Sequence, residues 1–156
     1  MIVELAREQD FEAVNRLARQ VAAHHAQWDP EIQTVEHPYP MDFFLECTHP
    51  ESLYPNAIYG ARLNDAVVGF MRFYLWQTNS AVTEKRTMLS IDDIGVEENL
   101  RHTGIGTGMM DALRVLAKDW ECSDLCLYVD VPNESAISFY EKCGFKPRNI
   151  GMRMKL

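Results

Sequence analysis

Long hydrophobic runs are missing from this sequence of 156 residues. No apolar stretch approaches the roughly 18 residues that a membrane-spanning helix requires. Acidic side chains at Glu4 and Glu8 interrupt the N-terminus too early for a secretory signal peptide. We therefore expect a protein with no membrane partner, located in the cytoplasm. The length and the 47% hydrophobic composition predict one globular domain over residues 1–156.

Closely spaced cysteine and histidine pairs are also absent. The cysteines form no CxxC motif, and no histidine pair has zinc-finger spacing. We therefore expect no metal site and no structural disulfide, and we interpret the cysteines as small core residues in a reducing compartment. They are Cys47, Cys122, Cys126 and Cys143.

Basic residues are few and unclustered. The chain has 15 Lys and Arg residues against 23 Asp and Glu residues, for a net charge of −8. Because the neutralisation of phosphates dominates nucleic-acid affinity, this balance argues against a nucleic-acid partner. An acidic surface attracts cationic substrates. The alternative is that the charge only keeps the protein in solution.

Hydrophobic periodicity and turn residues predict an α/β domain with antiparallel strands early and a βαβ unit late. Residues 28–57 interrupt the pattern, because they are rich in aromatic residues and contain several prolines that break helices. This segment would either line the substrate pocket or form an ordered surface connection. The predicted elements are a strand at 2–7, a helix at 11–26 capped by Asp10, a short helix near 41–47, two strands within 56–77 joined at Asn64 and Asp65, a strand at 87–96, a helix at 104–120, a strand at 124–131, a short helix within 132–145 that ends at Gly144, and a last strand at 149–156.

The loop "RHTGIGTG", residues 101–108, is rich in glycine and opens a helix. It lacks the GK[ST] of a P-loop, and the dinucleotide fingerprint would need glycine where this chain has Met109. The remaining pattern is Arg101-x-x-Gly104-x-Gly106. Small residues there let backbone N–H groups converge at a helix N-terminus, which suits a pyrophosphate. The alternative is that the glycines only allow a tight turn and that the loop binds no ligand.

Two further motifs accompany this loop, "IDDIGV" before it and "NESAISFYEKCGF" after it. Together the three resemble the GCN5-related N-acetyltransferase (GNAT) superfamily over residues 89–145. The resemblance implies the GNAT-like acyl-CoA N-acyltransferase fold. In that fold a mostly antiparallel central sheet contains one splayed pair of parallel strands and is flanked by helices.

The resemblance also implies acetyl-CoA as co-substrate. Backbone amides of the loop would bind its pyrophosphate, with Arg101 at the family's Arg/Gln position. A bulged strand before the loop would pair with the pantetheine arm, and Gly95 would relieve the strain of the bulge. Asn133 would both cap its helix and contact the cofactor. The implied cofactor-binding residues are Ile94, Gly95, Val96, Arg101, His102, Thr103, Gly104, Ile105, Gly106, Thr107, Asn133 and Ser135.

For catalysis, the resemblance places Tyr140 near the thioester sulfur, where a phenol can protonate the leaving thiolate. The acceptor amine is protonated at neutral pH, so it must lose a proton before it can attack. Asp92 is our candidate base and Asp93 is the fallback. A water chain is the third possibility. The Val96 amide would polarise the carbonyl oxygen.

We therefore expect an enzyme, an N-acetyltransferase that moves the acetyl group of acetyl-CoA to a primary amine by direct attack. The amine belongs to a small molecule or a peptide. The alternative is a non-catalytic GNAT-like sensor that holds an acyl-CoA. Trp28, Tyr39, Phe43 and Phe44 would either shape the acceptor pocket or fill the core. Many relatives form homodimers through sheet edges or C-terminal strands, and the predicted strand 149–156 could do so here.

Overall fold

One sheet organises the fold that the computed structural model describes, for residues 1–29, 31–49, 56–78, 81–82 and 84–154. Along the chain the strands and helices occur in the order β1-α1-α2-β2-β3-β4-α3-β5-α4. Short 3-10 turns at Glu8–Asp10 and Glu98–Leu100 precede α1 and α3. The strands are β1 (Ile2–Leu5), β2 (Asn56–Leu63), β3 (Ala66–Gln77), β4 (Thr87–Val96) and β5 (Asp124–Leu127). The helices are α1 (Phe11–His25), α2 (Met41–Thr48), α3 (Ile105–Asp119) and α4 (Glu134–Lys142).

The sheet has the strand order β1-β2-β3-β4-β5. The first three pairings are antiparallel, and β4 pairs with β5 in parallel because α3 carries the chain back across the sheet. Asn64 and Asp65 form the β2–β3 turn with φ of 48° and 65°, as the tight hairpin geometry requires. The predicted mixed sheet with its late βαβ unit is therefore confirmed.

A separate hydrophobic core covers each face of the sheet. On one face α3 packs Met109 and Leu113 against Phe73 of β3. On the other face α1 and α2 pack Leu17 and Phe44 against the same sheet. Each face thus receives one amphipathic helical layer, and burial of this apolar area stabilises the fold.

Asp10 stands at the start of α1, as predicted, but its carboxylate does not cap the helix. It accepts hydrogen bonds from the Arg7 backbone N–H at 2.7 Å and from the Arg62 guanidinium. Both members of the Asp10–Arg62 ion pair are 5% exposed at the side chain. A buried cation draws the carboxylate away from the helix terminus, so Asp10 joins α1 to β2 instead.

Three predicted strands are shorter or missing, and the first of them, β1, ends at Leu5 rather than at residue 7. β5 ends at Leu127 rather than at residue 131, because a turn follows in which the Asn133 N–H donates to the Asp130 carbonyl at 2.8 Å. Residues 149–154 form no strand although their apolar side chains alternate. Alternation suits a strand, but a strand also needs a paired edge. Residues 155–156, and positions 30 and 50–55 of the proline-rich segment, lie outside the described residues.

Candidate active site

The parallel strands β4 and β5 pair over only part of β4. The pairing runs from Met88 with Asp124 to Ile91 with Leu127, and there it stops. β4 continues to Val96 while the chain after β5 turns away toward α4. The backbone of residues 92–96 therefore has no strand neighbour on the β5 side within the described fold. An extended ligand can pair with such a free strand edge.

A β-bulge lies at the point where the two strands part. β4 pairs Ile91 with Phe73 and Asp93 with Arg72, which leaves Asp92 as the extra residue. The bulge therefore lies three positions before Gly95, the position that the resemblance predicts for it. The reason is a change of face: Ile91 packs into the α3 core, whereas Gly95 faces Phe70 in the α1 core. One inserted residue is needed to reverse the alternation.

Gly95 has a packing role instead of the predicted strain-relieving one. A Cβ at this position would lie 2.8 Å from Phe70 Cε1 and 2.9 Å from Val21 Cγ2. Nearby, Arg16 of α1 forms an ion pair with Glu97 at 2.5 Å. The missing side chain thus lets α1 lie directly against the free segment of β4.

The glycine-rich loop brings the N-terminus of α3 beside this segment. Gly104 occupies the N-cap position with φ of 92°, a left-handed conformation that favours glycine. It has no side chain to cap the helix, and the first N–H groups of a helix have no intrahelical partner. Arg101 donates from Nε to the Val96 carbonyl at 3.3 Å, and Thr103 donates from Oγ1 to the Leu100 carbonyl at 2.6 Å.

Most loop positions are open to solvent and can reach a ligand. Ile105 is the exception, because its side chain is buried and only its backbone N–H remains available. Gly106 lies against the ring of Phe139, 3.3 Å from the position of a Cβ. The exposed positions are Arg101, His102, Thr103, Gly104 and Thr107. A concave group of free amides with one arginine fits a pyrophosphate.

Asn133 caps α4, as its residue type predicts. Its buried Oδ1 accepts from the Ala136 backbone N–H and from Ser135 Oγ, both at 3.1 Å. The oxygen is therefore engaged in the cap, and Nδ2 is the atom left for a ligand.

Tyr140 lies two helical turns beyond Asn133 on α4. Its ring packs edge-on to Phe145, with centroids 5.8 Å apart. Burial raises the pKa of the Tyr140 phenol to about 12, and the negative charge of Asp93 adds to the effect. The hydroxyl is therefore protonated at neutral pH. Arg114 of α3 donates to the Cys143 carbonyl and so holds the end of this helix in place.

The bulge gives the two aspartates different neighbours. Asp92 forms an ion pair with Arg72 and its side chain is 44% exposed. Asp93 accepts a hydrogen bond from the hydroxyl of Tyr39 and acts electrostatically on Tyr140. Burial and Asp93 raise the pKa of Tyr39 far above its ordinary value. Asp93 thus accepts a hydrogen bond from a tyrosine of the α1–α2 connection and acts electrostatically on the tyrosine of α4.

Residues of this arrangement differ in the signal that they carry in the sequence. Arg72 belongs to a strand, and nothing local marks it as part of a site. Tyr39 is one of the aromatic residues expected either at the acceptor pocket or in the core, and the structure buries it beside Asp93. Asn15 was detectable in principle, because it is a polar residue among the apolar positions of α1 and is fully buried. Of the aromatic residues expected near the acceptor, Phe44 fills the core, whereas Phe43 lies 5.2 Å from the Arg72 guanidinium.

Two kinds of feature are absent from the part of the chain that the structure describes. There, His, Cys, Asp and Glu residues form no group of three or more that could hold a metal ion. No helix among the described residues is long and apolar enough to cross a membrane.

Known proteins resemble this chain in sequence. The model of the acetyltransferase (GNAT) family matches residues 20–145. An N-alpha-acetyltransferase of Sulfurisphaera tokodaii is 30% identical over 112 residues, which cover 69% of this chain and 65% of that protein. N-alpha-acetyltransferase 50 of Danio rerio is 36% identical over 87 residues, which cover 55% of this chain and 49% of that protein. The chain therefore spans about half to two thirds of the length of these curated relatives.

Solved structures share the fold along the whole chain. A tetramutant of the BH1408 protein from Bacillus halodurans superimposes with a TM-score of 0.90 at 24% identity, and the match covers 100% of both chains. The aminoglycoside N-acetyltransferase AAC(6')-Iy in complex with CoA gives a TM-score of 0.70 at 13% identity over 99% of this chain and 100% of that one. The splayed strands, the glycine-rich loop and the match over residues 20–145 agree: the chain belongs to the acetyltransferase (GNAT) family.

Proposed function

We propose that this protein is an acetyl-CoA-dependent N-acetyltransferase that acetylates a primary amine by direct attack. One observation carries the proposal. β4 separates from β5 after Ile91, Arg101 before α3 donates to Val96 in the free segment of β4, and Asp93 in the same segment acts electrostatically on Tyr140 of α4. The opening between the strands thus combines an anion site, a strand edge and a protonated phenol.

The residues around the opening fit acetyl-CoA. The amides of residues 102–107, with Arg101 beside them, would hold the pyrophosphate. Ile94, Gly95 and Val96 would pair with the pantetheine arm through their backbone, and Asn133 Nδ2 and Ser135 would contact the cofactor from α4. When bound there, acetyl-CoA supplies an acetyl thioester to the amine.

Tyr140 would serve as the general acid. The burial that raises the pKa of its phenol keeps a proton available at any physiological pH. A phenol can give that proton to a thiolate as the sulfur leaves. The backbone N–H of Val96 would stabilise negative charge on the carbonyl oxygen.

The proton acceptor for the amine would be one of the two aspartates at the bulge. Asp92, the candidate from the sequence, is paired with Arg72 and directed toward solvent. We prefer Asp93 to Asp92 as the base, because the charge of Asp93 acts on Tyr140. Tyr39 bonds only one of its two carboxylate oxygens, which leaves the other for the amine. A carboxylate in this position can take the proton directly or through one water.

The names of the relatives indicate two classes of amine to test, an α-amine and an aminoglycoside. We further propose a cytoplasmic location, since the four cysteines are free thiols. We also propose a homodimer that forms through residues 149–154. This segment joins no sheet and exposes the side chains of Ile150, Met152 and Met154.

The test combines binding and turnover. Acetyl-CoA should raise the melting temperature, whereas NADH should not. Thiol release should then follow addition of one member of a panel containing a short peptide with a free α-amine, sisomicin, spermidine and lysine. Tyr140→Phe should lower kcat by about 10²-fold or more and leave the KM for acetyl-CoA within about two-fold. Tyr128→Phe, at a tyrosine that is 87% exposed, is the matched control.

Two results would contradict the proposal. A melting temperature unchanged by acetyl-CoA would exclude the cofactor site. Stabilisation by acetyl-CoA without thiol release on any amine would favour the alternative, a sensor that binds acyl-CoA without turnover.

A further inference from the structure

A buried asparagine fixes the connection between α1 and α2 beside the bulge of β4. Asn15 is fully buried, and its side chain makes two hydrogen bonds to the backbone of Tyr39. Nδ2 donates to the Tyr39 carbonyl at 3.0 Å, and Oδ1 accepts from the Tyr39 N–H at 2.9 Å. Such a two-point contact holds one residue of a connecting segment in a defined position.

The side chain of Tyr39 extends from this fixed backbone to the sheet. Its ring is buried against Phe70 of β3 and Phe43 of α2, with centroids 6.0 and 5.9 Å away. Its hydroxyl donates to Oδ2 of Asp93. Burial raises the pKa of the phenol, so the group is a permanent donor at physiological pH.

Several charged and titratable groups surround Asp93. Arg72 is its register partner on β3 and lies 6.0 Å from the centroid of the Tyr39 ring. The Arg72 guanidinium forms an ion pair with Asp92, so the carboxylate of Asp92 neutralises much of the positive charge near Asp93. Tyr140 of α4 is close enough for the charge of Asp93 to raise the pKa of its phenol. Tyr39 is thus the neutral donor through which the α1–α2 connection contacts this carboxylate.

From this geometry we infer that Tyr39 is a positioning residue, which orients Asp93 so that its second carboxylate oxygen can accept the proton of the amine. The inference rests on the proposed function and deepens it. A hydrogen bond to one oxygen fixes the rotation of the carboxylate about its side-chain bonds.

The expected consequence is a fall in kcat that the KM does not share. Without the Tyr39 hydroxyl, the Asp93 carboxylate is no longer fixed in rotation, and fewer bound amines meet a correctly oriented oxygen. At neutral pH kcat should fall about ten-fold while the KM for acetyl-CoA stays within two-fold. A purely structural tyrosine would lower stability without this split between kcat and KM.

The experiment compares Tyr39→Phe with the wild type, using acetyl-CoA and the panel amine that gives the fastest thiol release. Tyr59→Phe is the control, because Tyr59 is a partly buried tyrosine that packs into the core on the opposite face of the sheet. The same Tyr39 change in an Asp93→Asn background isolates the coupling. There its effect on kcat should disappear, since it acts through Asp93.

Each outcome decides the matter. A ten-fold loss of kcat that vanishes in the Asp93→Asn background supports the inference. An unchanged kcat in Tyr39→Phe overturns it, and so does an equal loss in both backgrounds. If the wild type binds acetyl-CoA but acetylates no amine of the panel, the proposed function is refuted. The inferred role of Tyr39 then fails as well, because it depends on that function.

Discussion

Gly95 offers a direct test of how α1 meets the free segment of β4. In Gly95→Ala the new methyl group would lie 2.8 Å from Phe70 and 2.9 Å from Val21, whereas ordinary contacts begin near 3.4 Å. Both neighbours belong to the α1 core, so the strand or the helix must shift by about half an ångström.

The size of the effect follows from two opposing contributions. Overpacking of this kind costs about 1–3 kcal/mol. Replacing glycine with alanine lowers the entropy of the unfolded chain and recovers about 0.4–1 kcal/mol. We expect the free energy of unfolding to fall by about 1–2 kcal/mol, which for a chain of this length lowers the melting temperature by about 2–8 °C.

Gly60→Ala is the matched control. Gly60 is also a strand glycine and is buried, but a Cβ there would lie 3.7 Å from the methyl groups of Val67, an ordinary contact. That variant should be as stable as the wild type or slightly more so. Urea unfolding of both variants measures the difference.

A second variant tests whether the overlap of the new methyl group with its neighbours causes the loss of stability. Val21→Ala removes one of the two groups that the new methyl would touch, so the double variant Gly95→Ala/Val21→Ala should lose less stability than the sum of the single changes. If Gly95→Ala is as stable as Gly60→Ala, the close approach of α1 to β4 does not explain the glycine.

Three further outcomes are expected. Gly104→Ala, at a φ of 92°, should lower the free energy of unfolding by about 1 kcal/mol and weaken acetyl-CoA binding in calorimetry. Unchanged binding would exclude the loop from the cofactor site. Asp10→Ala leaves Arg62 buried without its closest carboxylate and should cost about 3–5 kcal/mol in urea unfolding, and a loss below 1 kcal/mol would show that the pair is dispensable. The pKa of Tyr140 is raised from 10.0 to about 12 by folding, so the stability linked to its proton is complete below pH 10 and is lost as the pH rises toward 12. Tyr140→Phe should therefore lose less stability than the wild type in that interval, and parallel losses would contradict the raised pKa.

Much of the fold was readable from local signals. The strand at 87–96 has its predicted bounds, and the turn at Asn64 and Asp65 is where the residue types placed it. The start of α4 follows from the preference of asparagine for caps. These features depend on side-chain period and backbone preference, which act over a few residues.

The errors have a common origin in long-range packing. The C-terminal segment has the alternation of a strand, yet a strand forms only where an edge accepts it, and no local pattern specifies that edge. Asp10 has the residue type of a cap, but the buried guanidinium of Arg62, distant in the sequence, binds its carboxylate. In both cases a partner elsewhere in the chain decided the outcome.

By itself the sequence determined the family and located the glycine-rich loop and the tyrosine of α4, because the motifs that carry them are contiguous. Only the tertiary structure decided which aspartate bonds Tyr39. A one-residue bulge reverses the alternation of β4 and separates Asp92 from Asp93. Tyr39 then reaches Asp93 across 54 positions of sequence. Such a contact depends on how α1 and β4 pack together, and this is why no spacing in the sequence predicts it.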